Sequence, residues 1–498
     1  MTFVDPVQRR SAGNLRFLAG LLLVLAAGAG VGLMVWRGGS GNRAATPAAR
    51  SADSVETVPV TAPTQPPAYP EATPMTEMLL VPQDEIDATF RLELAVELDH
   101  LPAELILLPD SHPVSLVARL DQRRALPGGF RLENLRFVWS TNQGEVFEQT
   151  KTDEEGYYVS RAIFYPPKVS DFIELKAAAE IDLIRDVAGR EQRATSRIES
   201  ALALLSPIDS VNMVNGRFGD YEVGEYLDPF DRSVASRFRV DSDWYARYPE
   251  RYMIPRVFYR ADQRVKPMRI SPSLELGLWM IDFPWKSLGA TQYIALDYHL
   301  VRKLEDLIAL MRAAGYTISR LVAIYGFRPP AFNLGKIQSE AETTLKVPFS
   351  MHQYGRALDF IIDEDDDGLM DDLNGDGRCD VHDPAVIMHY VNALDRRYRA
   401  EGRMHMVGGA GLYHENDFLE RNAHYHHNTP YIHVDTRGFL HDDGTLVRWP
   451  NTWPDGTTIR WGHIDEKGFA SAGARIEPTP EPTADPHRPA IPLNFDEF

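Results

Sequence analysis

A chain of 498 residues is too long for one hydrophobic core, so its length predicts two or three domains. The net charge of -19 excludes nucleic acid as a predicted partner, because phosphate binding needs clustered Lys and Arg; it suits calcium binding better. Hydrophobic residues make up 44% of the chain and charged residues 25%, as in ordinary folded protein. A single cysteine, Cys379, excludes an intrachain disulfide.

The first apolar segment, residues 17–36, contains no charged residue. A helix rises about 1.5 Å per residue, so this segment is long enough to cross a hydrocarbon layer of roughly 30 Å. Because Arg9, Arg10 and Arg16 precede it, we predict a cytoplasmic segment at 1–16, an uncleaved transmembrane anchor and an extracytoplasmic remainder held at the cell membrane. A cleaved signal peptide is the alternative; it would have a shorter apolar region and a small-x-small site, where Trp-Arg-Gly stands here.

Residues 37–75 and much of 451–498 are rich in Pro, Ala, Thr and Ser. Such compositions cannot bury enough apolar surface to offset the entropy lost on ordering. We therefore predict a disordered linker after the anchor and a largely disordered C-terminal tail.

Between residues 76 and 207 the apolar residues recur with a period of two, which predicts half-buried strands. The clearest run consists of Ile173, Leu175, Ala177, Ala179 and Ile181. Together with a strand that contains Trp139, the pattern predicts an immunoglobulin-like β-sandwich in which this tryptophan is buried. The segment carries no catalytic pattern, so we interpret it as a spacer or as an interaction module with a protein partner.

Residues 208–292 are rich in Tyr, Phe, Trp, Arg and Pro without a clean period. Two interpretations are open. Exposed rings would stack on the sugars of a cell-wall glycan, whereas buried rings would form an irregular β subdomain packed on the next domain.

A helix is predicted shortly after residue 293 by an apolar stripe that ends before Gly315, with Lys303 lying off the stripe. The stripe consists of Leu300, Val301, Leu304, Leu307, Ile308 and Met311. A buried strand at 321–325 follows and leads into a loop that contains Arg328.

The segment 350–359 has the pattern S-x-H-x-x-G-x-A-x-D, which contains His352 and Asp359, and His433 follows about seventy residues later in a short apolar strand. Imidazole and carboxylate suit zinc in a catalytic site, where three protein ligands leave a fourth position for water. The three residues are therefore candidate zinc ligands.

These motifs, with Arg328 in the segment Y-G-F-R-P-P, resemble the D-Ala-D-Ala carboxypeptidase family of zinc peptidases, whose LAS fold is shared with lysostaphin-type enzymes and hedgehog domains. The resemblance covers about a third of the chain and implies an α+β domain at 293–450. It implies that His352, Asp359 and His433 bind zinc and that Arg328 holds a substrate carboxylate or stabilises the oxyanion. The family cleaves bonds at D-amino acids in peptidoglycan stem peptides or related peptides.

The chain departs from the family at the general base, because Pro430 stands where many members have an acidic residue. On a strand Tyr431 and Asp435 share a face with His433. Asp435 is either the base or a support for the histidine, and Tyr431 is a candidate oxyanion donor. Nearby histidines form either a second metal site or a polar loop: His405, His414, His424, His426, His427 and His441.

An acidic insertion at 363–383 follows the second zinc ligand and contains two overlapping calcium-loop patterns, with Gly368 and Gly377 at the sharp turns. Asp363, Asp365, Asp367, Asp371 and Asn374 are the candidate calcium ligands of the first loop. Asp372, Asn374, Asp376, Asp380 and Asp383 are those of the second, which resembles dockerin and EF-hand loops. A solvated acidic loop without an ion is the alternative. We expect Cys379 to be a buried structural residue, and a helix to follow the insertion.

The sequence thus predicts a multidomain fold: an N-terminal transmembrane helix, an immunoglobulin-like β-sandwich and a C-terminal α+β zinc peptidase domain of LAS fold. The predicted function is that of a membrane-anchored, extracytoplasmic zinc metallopeptidase, carboxypeptidase or endopeptidase, that acts on peptidoglycan peptides. A non-catalytic cell-wall-binding or scaffold protein is the main alternative, and a calcium-dependent adhesion protein is a third.

Overall fold

The computed structural model describes residues 81–154, 157–238, 245–283, 286–339, 348–413 and 429–449. The chain divides into two compact units, Met1–Thr73 and Pro74–Phe498, and all described residues belong to the second. The predicted anchor at 17–36, the linker at 37–75 and the tail at 451–498 lie outside the described residues. Within the described ranges, no helix is both long enough and apolar enough to cross a membrane.

The predicted fold class is wrong. The described residues are mostly β-sheet with few helices, rather than a transmembrane helix, an immunoglobulin-like sandwich and an α+β domain of LAS fold. The described ranges contain twenty strands and five α-helices. The prediction underestimated the β-sheet content, because many of the strands are only two to five residues long and show no period in the sequence.

Residues 81–205 begin with the short helix α1 (Gln83–Thr89) and then form eight strands. These are β1 (Phe90–Val96), β2 (Leu105–Leu107), β3 (Val114–Gln122), β4 (Arg131–Thr141), β5 (Glu145–Glu154), β6 (Tyr157–Tyr165), β7 (Phe172–Val187) and β8 (Arg190–Leu205). One sheet has the order β1-β3-β6-β5 and the other β2-β8-β7-β4, in which β2 and β8 are parallel. Apolar side chains of both sheets share two buried clusters. Trp139 is only partly buried, and its Nε1 donates to Ser160 Oγ at 3.0 Å.

The aromatic-rich region consists of short elements that join a large common core. Its strands are β9 (Ile208–Asp209), β10 (Arg217–Phe218), β11 (Tyr221–Glu222), β12 (Val257–Asp262), β13 (Asp282–Phe283), β14 (Lys286–Ser287) and β15 (Thr291–Ile294), and its α-helix is α2 (Arg232–Phe238). Phe218, Phe258 and Trp279 are buried, so these rings pack in the core and do not form a glycan platform.

A five-stranded sheet with the order β16-β17-β19-β18-β20 follows, antiparallel except between β18 and β20. Its strands are β16 (Leu321–Tyr325), β17 (Ala357–Ile362), β18 (Ala410–Tyr413), β19 (Tyr431–Asp435) and β20 (Arg448–Trp449). The helices of this region are α3 (Tyr298–Ala313), α4 (Pro330–Ser339) and α5 (His382–Ala400). Helices α3 and α5 contact each other, and α5 contacts β18 and β19. The 3-10 helices of the described chain are Pro127–Gly129, Ser210–Asn212, Pro249–Arg251, Leu276–Trp279, Met351–Tyr354 and Met404–Met406.

Helix α3 begins where the side chain of Asp297 accepts the backbone N–H of His299 at 3.0 Å. It ends before Gly315, whose φ is 100°, as the sequence predicts. All six predicted stripe residues are buried. Lys303, however, is also fully buried, so its predicted place off the apolar stripe is wrong.

A cluster of mainly aromatic side chains packs around the 3-10 helix Met351–Tyr354. Its buried members are Tyr252, Phe349, Met351, Tyr354, Ala357, Phe439 and Val447. The hydroxyl of Tyr226 also donates to the carbonyl oxygen of Gln353 at 2.7 Å. The aromatic-rich region therefore fixes the segment that contains His352.

We expect Gly355→Ala to lower the free energy of unfolding by about 2–5 kcal/mol. Gly355 has a φ of 68°, and an added Cβ would lie 2.4 Å from the carbonyl oxygen of Ala295. A left-handed backbone costs an L-residue about 1–2 kcal/mol, and overpacking adds about 1–3 kcal/mol. Urea denaturation measures the change.

Gly402→Ala is the matched control. Gly402 has a φ of 72°, and an added Cβ would meet nothing within 4 Å. This variant should show only the backbone cost of about 1–2 kcal/mol. Equal losses in the two variants would contradict the role of the close contact with Ala295.

Candidate metal centre

His352 lies in the 3-10 helix Met351–Tyr354 and is fully buried. Its Nδ1 lies 2.7 Å from the carbonyl oxygen of Gly326, which can only accept a hydrogen bond, so Nδ1 carries the proton. The main-chain carbonyl of His352 accepts the backbone N–H of Arg328 at 3.1 Å. The loop after β16 therefore fixes both the backbone and the ring of His352, and it directs Nε2 toward the sheet.

Asp359 and His433 are direct cross-strand neighbours, because β17 pairs with β19 in an antiparallel register that places these two residues opposite each other. Opposed side chains in such a pair have Cβ atoms about 4.5–5.5 Å apart, so both point to the same face of the sheet. They are 4% and 5% exposed. The sheet register thus brings together two of the three predicted zinc ligands.

Three donor atoms converge in this arrangement. His352 Nε2 lies 3.1 Å from Asp359 Oδ1 and 3.1 Å from His433 Nδ1. His433 Nδ1 lies 2.6 Å from Asp359 Oδ1. A tetrahedral zinc ion with bonds of about 2.0–2.1 Å needs ligand atoms about 3.3 Å apart. The two separations of 3.1 Å are close to this value, and the separation of 2.6 Å between His433 and Asp359 must widen by about 0.7 Å to admit the ion.

The outer nitrogen of each imidazole is already engaged. His352 Nδ1 donates to Gly326, and His433 Nε2 lies 3.1 Å from Asp435 Oδ2, to which it donates. In the neutral tautomers that these bonds select, both inner nitrogens carry lone pairs, and they face each other and a carboxylate oxygen. A cation between them removes this repulsion, so the donor set suits a metal ion.

The electrostatics of the three residues suit metal ligands. Burial and, after it, the nearby Arg328 lower the pKa of His352 to about 4, so this imidazole is neutral at pH 7. Burial opposes the charged form of Asp359, but the two histidines hold its pKa well below the usual value. Burial also opposes a charged His433, yet Asp359 and Asp435 raise its pKa. Asp359 therefore carries the negative charge that a bound cation would balance, and a metal ion at His433 Nδ1 would displace any proton held there.

Asp435 is fully buried, and both of its carboxylate oxygens accept hydrogen bonds. Oδ1 accepts the backbone N–H groups of Gly409 at 2.6 Å and Arg437 at 3.0 Å, and Oδ2 accepts the Nε–H of Arg437 at 2.9 Å besides His433. Although burial favours the neutral carboxyl, Arg437 and His433 hold its pKa well below the usual value. Of the two predicted roles of Asp435, the geometry favours support of His433 over general base. Arg437 is not among the residues predicted from the sequence, although it is a basic residue only two positions after Asp435.

Arg328 lies beside His352 and is only 7% exposed. Its Nη2 donates to Ser350 Oγ at 3.2 Å, and its buried Nε has no hydrogen-bond partner among the described residues. Its guanidinium carbon lies 5.3 Å from the centre of the Tyr325 ring. A buried guanidinium with a free donor is suited to an anionic group of a ligand.

Tyr431 is 4% exposed and stacks on Tyr413, with ring centres 4.6 Å apart. Burial raises its pKa well above 10, and the charge of Asp359 raises it further. Its phenol therefore stays protonated and can donate a hydrogen bond, as the predicted oxyanion role requires.

Two of the remaining predicted histidines are described, and neither belongs to a candidate metal group. His405 and His441 are exposed. His414, His424, His426 and His427 lie outside the described residues.

The first acidic loop starts directly after β17. Carboxylate oxygens of Asp363, Asp365 and Asp371 lie within 4.8 Å of one another. Asp363 accepts the backbone N–H of Asp367 at 3.1 Å, and Asp371 accepts that of Glu364 at 3.1 Å. Burial and then the neighbouring carboxylates raise the pKa of Asp371, as expected where negative charges crowd.

The second loop repeats the first. Asp372 accepts the backbone N–H of Asp376 at 3.1 Å, and the buried Asp383 accepts that of Leu373 at 2.9 Å. Burial raises the pKa of Asp383 to about 6. Asn374, predicted as a ligand of both loops, has its side chain hydrogen-bonded to Asp376 within the second. Residues 363–371 and 372–380 are therefore tandem nine-residue copies, each with Asp at both ends, and the remaining predicted ligand, Asp380, closes the second copy.

The predicted burial of Cys379 is wrong, since this residue is exposed. Its Sγ lies 3.8 Å from Thr429 Oγ1, and desolvation of the thiol raises its pKa. Thr429 Oγ1 also accepts the backbone N–H of Met370 at 2.7 Å. The insertion is therefore attached to the segment that enters β19.

No protein-family model and no curated protein matches the chain. The resemblance to the zinc peptidase family therefore rests on the motif residues alone.

We expect the wild-type chain to hold about one zinc ion and His352→Ala to lose it, because two ligands bind a metal far more weakly than three. Metal analysis after dialysis against zinc-containing buffer measures the content. His441→Ala, which removes an exposed histidine, is the control and should retain zinc. A wild-type chain without zinc under these conditions would contradict the site.

Proposed function

We propose that the chain is a zinc-dependent peptide hydrolase. The observation that supports this most strongly is the convergence of His352 Nε2, Asp359 Oδ1 and His433 Nδ1, with the outer nitrogen of each histidine already hydrogen-bonded. Two histidines and one carboxylate are a donor set that catalytic zinc sites use. When bound, zinc polarises a carbonyl group and lowers the pKa of a coordinated water toward about 7.

The chain's own residues have separate roles in this proposal. Arg328 binds a substrate carboxylate or the developing oxyanion through its free Nε–H, and Ser350 keeps the guanidinium in place. Tyr431 donates a hydrogen bond from its protonated phenol. Asp435 fixes the tautomer of His433 and the orientation of its ring.

We further propose that the substrates are peptides with D-amino acids, such as peptidoglycan stem peptides, cleaved as a carboxypeptidase or an endopeptidase. The support is the similarity of the S-x-H-x-x-G-x-A-x-D segment and of Arg328 to the D-Ala-D-Ala carboxypeptidase family. An extracytoplasmic location fits this substrate. It rests on the sequence of residues 17–36, which lie outside the described residues.

A non-catalytic cell-wall-binding or scaffold protein is the second candidate. The hydrogen bonds of Asp435 favour this candidate, because both carboxylate oxygens already accept from donors of the chain. A carboxylate in this arrangement is a poor proton acceptor. Such a protein would bind zinc and cell-wall peptides without cleaving them.

The test is incubation of the purified full chain with peptidoglycan and with synthetic stem peptides that end in D-amino acids, followed by mass analysis of the products. We expect release of a terminal D-amino acid or of a shorter stem peptide. Arg328→Ala should keep zinc and fold but lose roughly two or more orders of magnitude in turnover, on the scale of removing one oxyanion donor.

Arg264→Ala is the control for this variant, since its side chain is 51% exposed and its ion-pair partners, Asp171 and Asp262, are not part of the candidate site. It should leave turnover unchanged. Undiminished hydrolysis by Arg328→Ala would overturn the role of this arginine. Zinc binding without any product would instead favour the scaffold candidate.

We also propose that the acidic loops bind calcium. Tandem copies of the D-x-[D/N]-x-D-G-x-x-D pattern place oxygen ligands at alternate positions before a glycine turn, as hard cations require. The raised pKa values of Asp371 in the first copy and of Asp383 just after the second fit a site whose negative charges a cation would balance.

Calcium should stabilise the chain, because it binds the folded loops and not the unfolded chain. At about 100 times the dissociation constant, the gain is about 2.7 kcal/mol, which thermal unfolding with and without calcium would detect. Asp363→Asn, which keeps the shape but removes a buried charge, should lose most of the gain. Asp121→Asn, outside the loops, should keep it. If calcium does not raise the unfolding temperature of the wild type, the insertion is a solvated acidic loop without an ion.

A further inference from the structure

A buried cluster of charged side chains lies behind β19. The ammonium of Lys303, on helix α3, donates to Asp395 Oδ1 at 2.7 Å and to the main-chain carbonyl oxygen of Asp435 at 3.0 Å. Arg448 Nη2 donates to the other oxygen of Asp395 at 2.6 Å. The side chains of Lys303 and Asp395 are 0% exposed, and that of Arg448 is 1% exposed.

Such a cluster is costly, because each ion loses its hydration on burial. Well-packed apolar residues in place of a buried ion pair are often neutral or stabilising, so stability alone is a weak reason to keep one. Lys303 also replaces an apolar residue on a helix face that is otherwise formed by residues such as Leu300, Leu304 and Leu307. Its position calls for a second explanation.

The contact with Asp435 provides one. The backbone N–H of Asp435 donates to the carbonyl oxygen of Gly409 at 2.9 Å, and its carbonyl oxygen accepts from Lys303. The main chain is thus held on both sides of the residue whose carboxylate orients His433. Neither Gly409 nor Lys303 contributes a metal ligand.

We propose that Lys303 is a positioning residue of the metal centre. With Asp395 and Arg448 as its buried support, it fixes the main chain of Asp435, so the carboxylate stays aligned with His433 Nε2 and the ring presents Nδ1 to the metal. This inference rests on the proposed zinc site and extends it to a residue two contacts away from the ligand.

Residues that orient a ligand from outside typically contribute 10-fold to 100-fold to metal affinity. Loss of the Lys303 hydrogen bond should therefore weaken zinc binding by about 10-fold or more without removing any ligand. A merely structural residue would change the stability of the chain and leave the affinity of the folded fraction unchanged.

Lys303→Met is the appropriate variant. It keeps the length and most of the volume of the side chain, and it removes the donor to Asp435. Asp395 remains paired with Arg448, so no buried charge is left without a partner. We therefore expect the variant to fold.

The experiment is a titration of the purified apo chain with zinc in competition with a chromophoric chelator, for wild type, Lys303→Met and Met311→Ala. Met311 is a buried residue on the same helix, and its truncation destabilises α3 without touching Asp435. We expect Lys303→Met to bind zinc at least about 10-fold more weakly than wild type and Met311→Ala to match wild type.

Equal affinity of Lys303→Met and wild type, or equal losses in Lys303→Met and Met311→Ala, would overturn the inference. If Lys303→Met does not fold, Lys303→Gln, which keeps a shorter donor, should show an intermediate affinity; wild-type affinity there would overturn it too. A wild-type chain that binds no zinc would overturn the proposed function itself, so the two failures are distinguishable.

Discussion

The structure of the candidate site depends on one electrostatic constraint: two imidazole nitrogens and a carboxylate oxygen face one another within 2.6–3.1 Å. In the neutral tautomers, the protons lie on the outer nitrogens. His352 Nδ1 donates its proton to the carbonyl oxygen of Gly326, and His433 Nε2 donates to the carboxylate of Asp435. Lone pairs in this arrangement repel each other unless a cation lies between them. The surrounding fold must therefore hold the three donors against that repulsion whenever the metal is absent.

Different parts of the fold supply this restraint. The backbone register between β17 and β19 by itself places Asp359 opposite His433. The aromatic cluster around Met351–Tyr354 fixes the segment that contains the third candidate ligand, His352. The hydroxyl of Tyr226 donates a hydrogen bond to the main-chain carbonyl of Gln353 in the same segment. The aromatic-rich region that precedes α3 in the sequence is thus part of the support of the site, which explains why its rings are buried.

The local patterns in the sequence predicted three residues that the structure brings together and some of the elements around them, because a spaced motif and a helical stripe are properties of nearby residues. The six stripe residues of α3 and the strand Leu321–Tyr325 are examples. Contacts between residues that are distant in sequence could not be predicted from these local patterns. Lys303 is buried only because Asp395 and Asp435, 92 and 132 positions later, meet it in the core. The fold class failed for a related reason, since two-residue strands such as β10 and β13 form through tertiary pairing and leave no periodicity.

Metal binding and turnover are separable properties of this arrangement. A carboxylate that accepts hydrogen bonds from Gly409, Arg437 and His433 has its lone pairs occupied, and the same donors lower its affinity for a proton. Those features make Asp435 a good support for a metal ligand and a poor base. The three candidate ligands and their supports lie within the described residues, whereas proton transfer needs a group that these contacts do not provide. A site of this kind can bind its metal fully and still depend on another residue, or on the substrate itself, for catalysis.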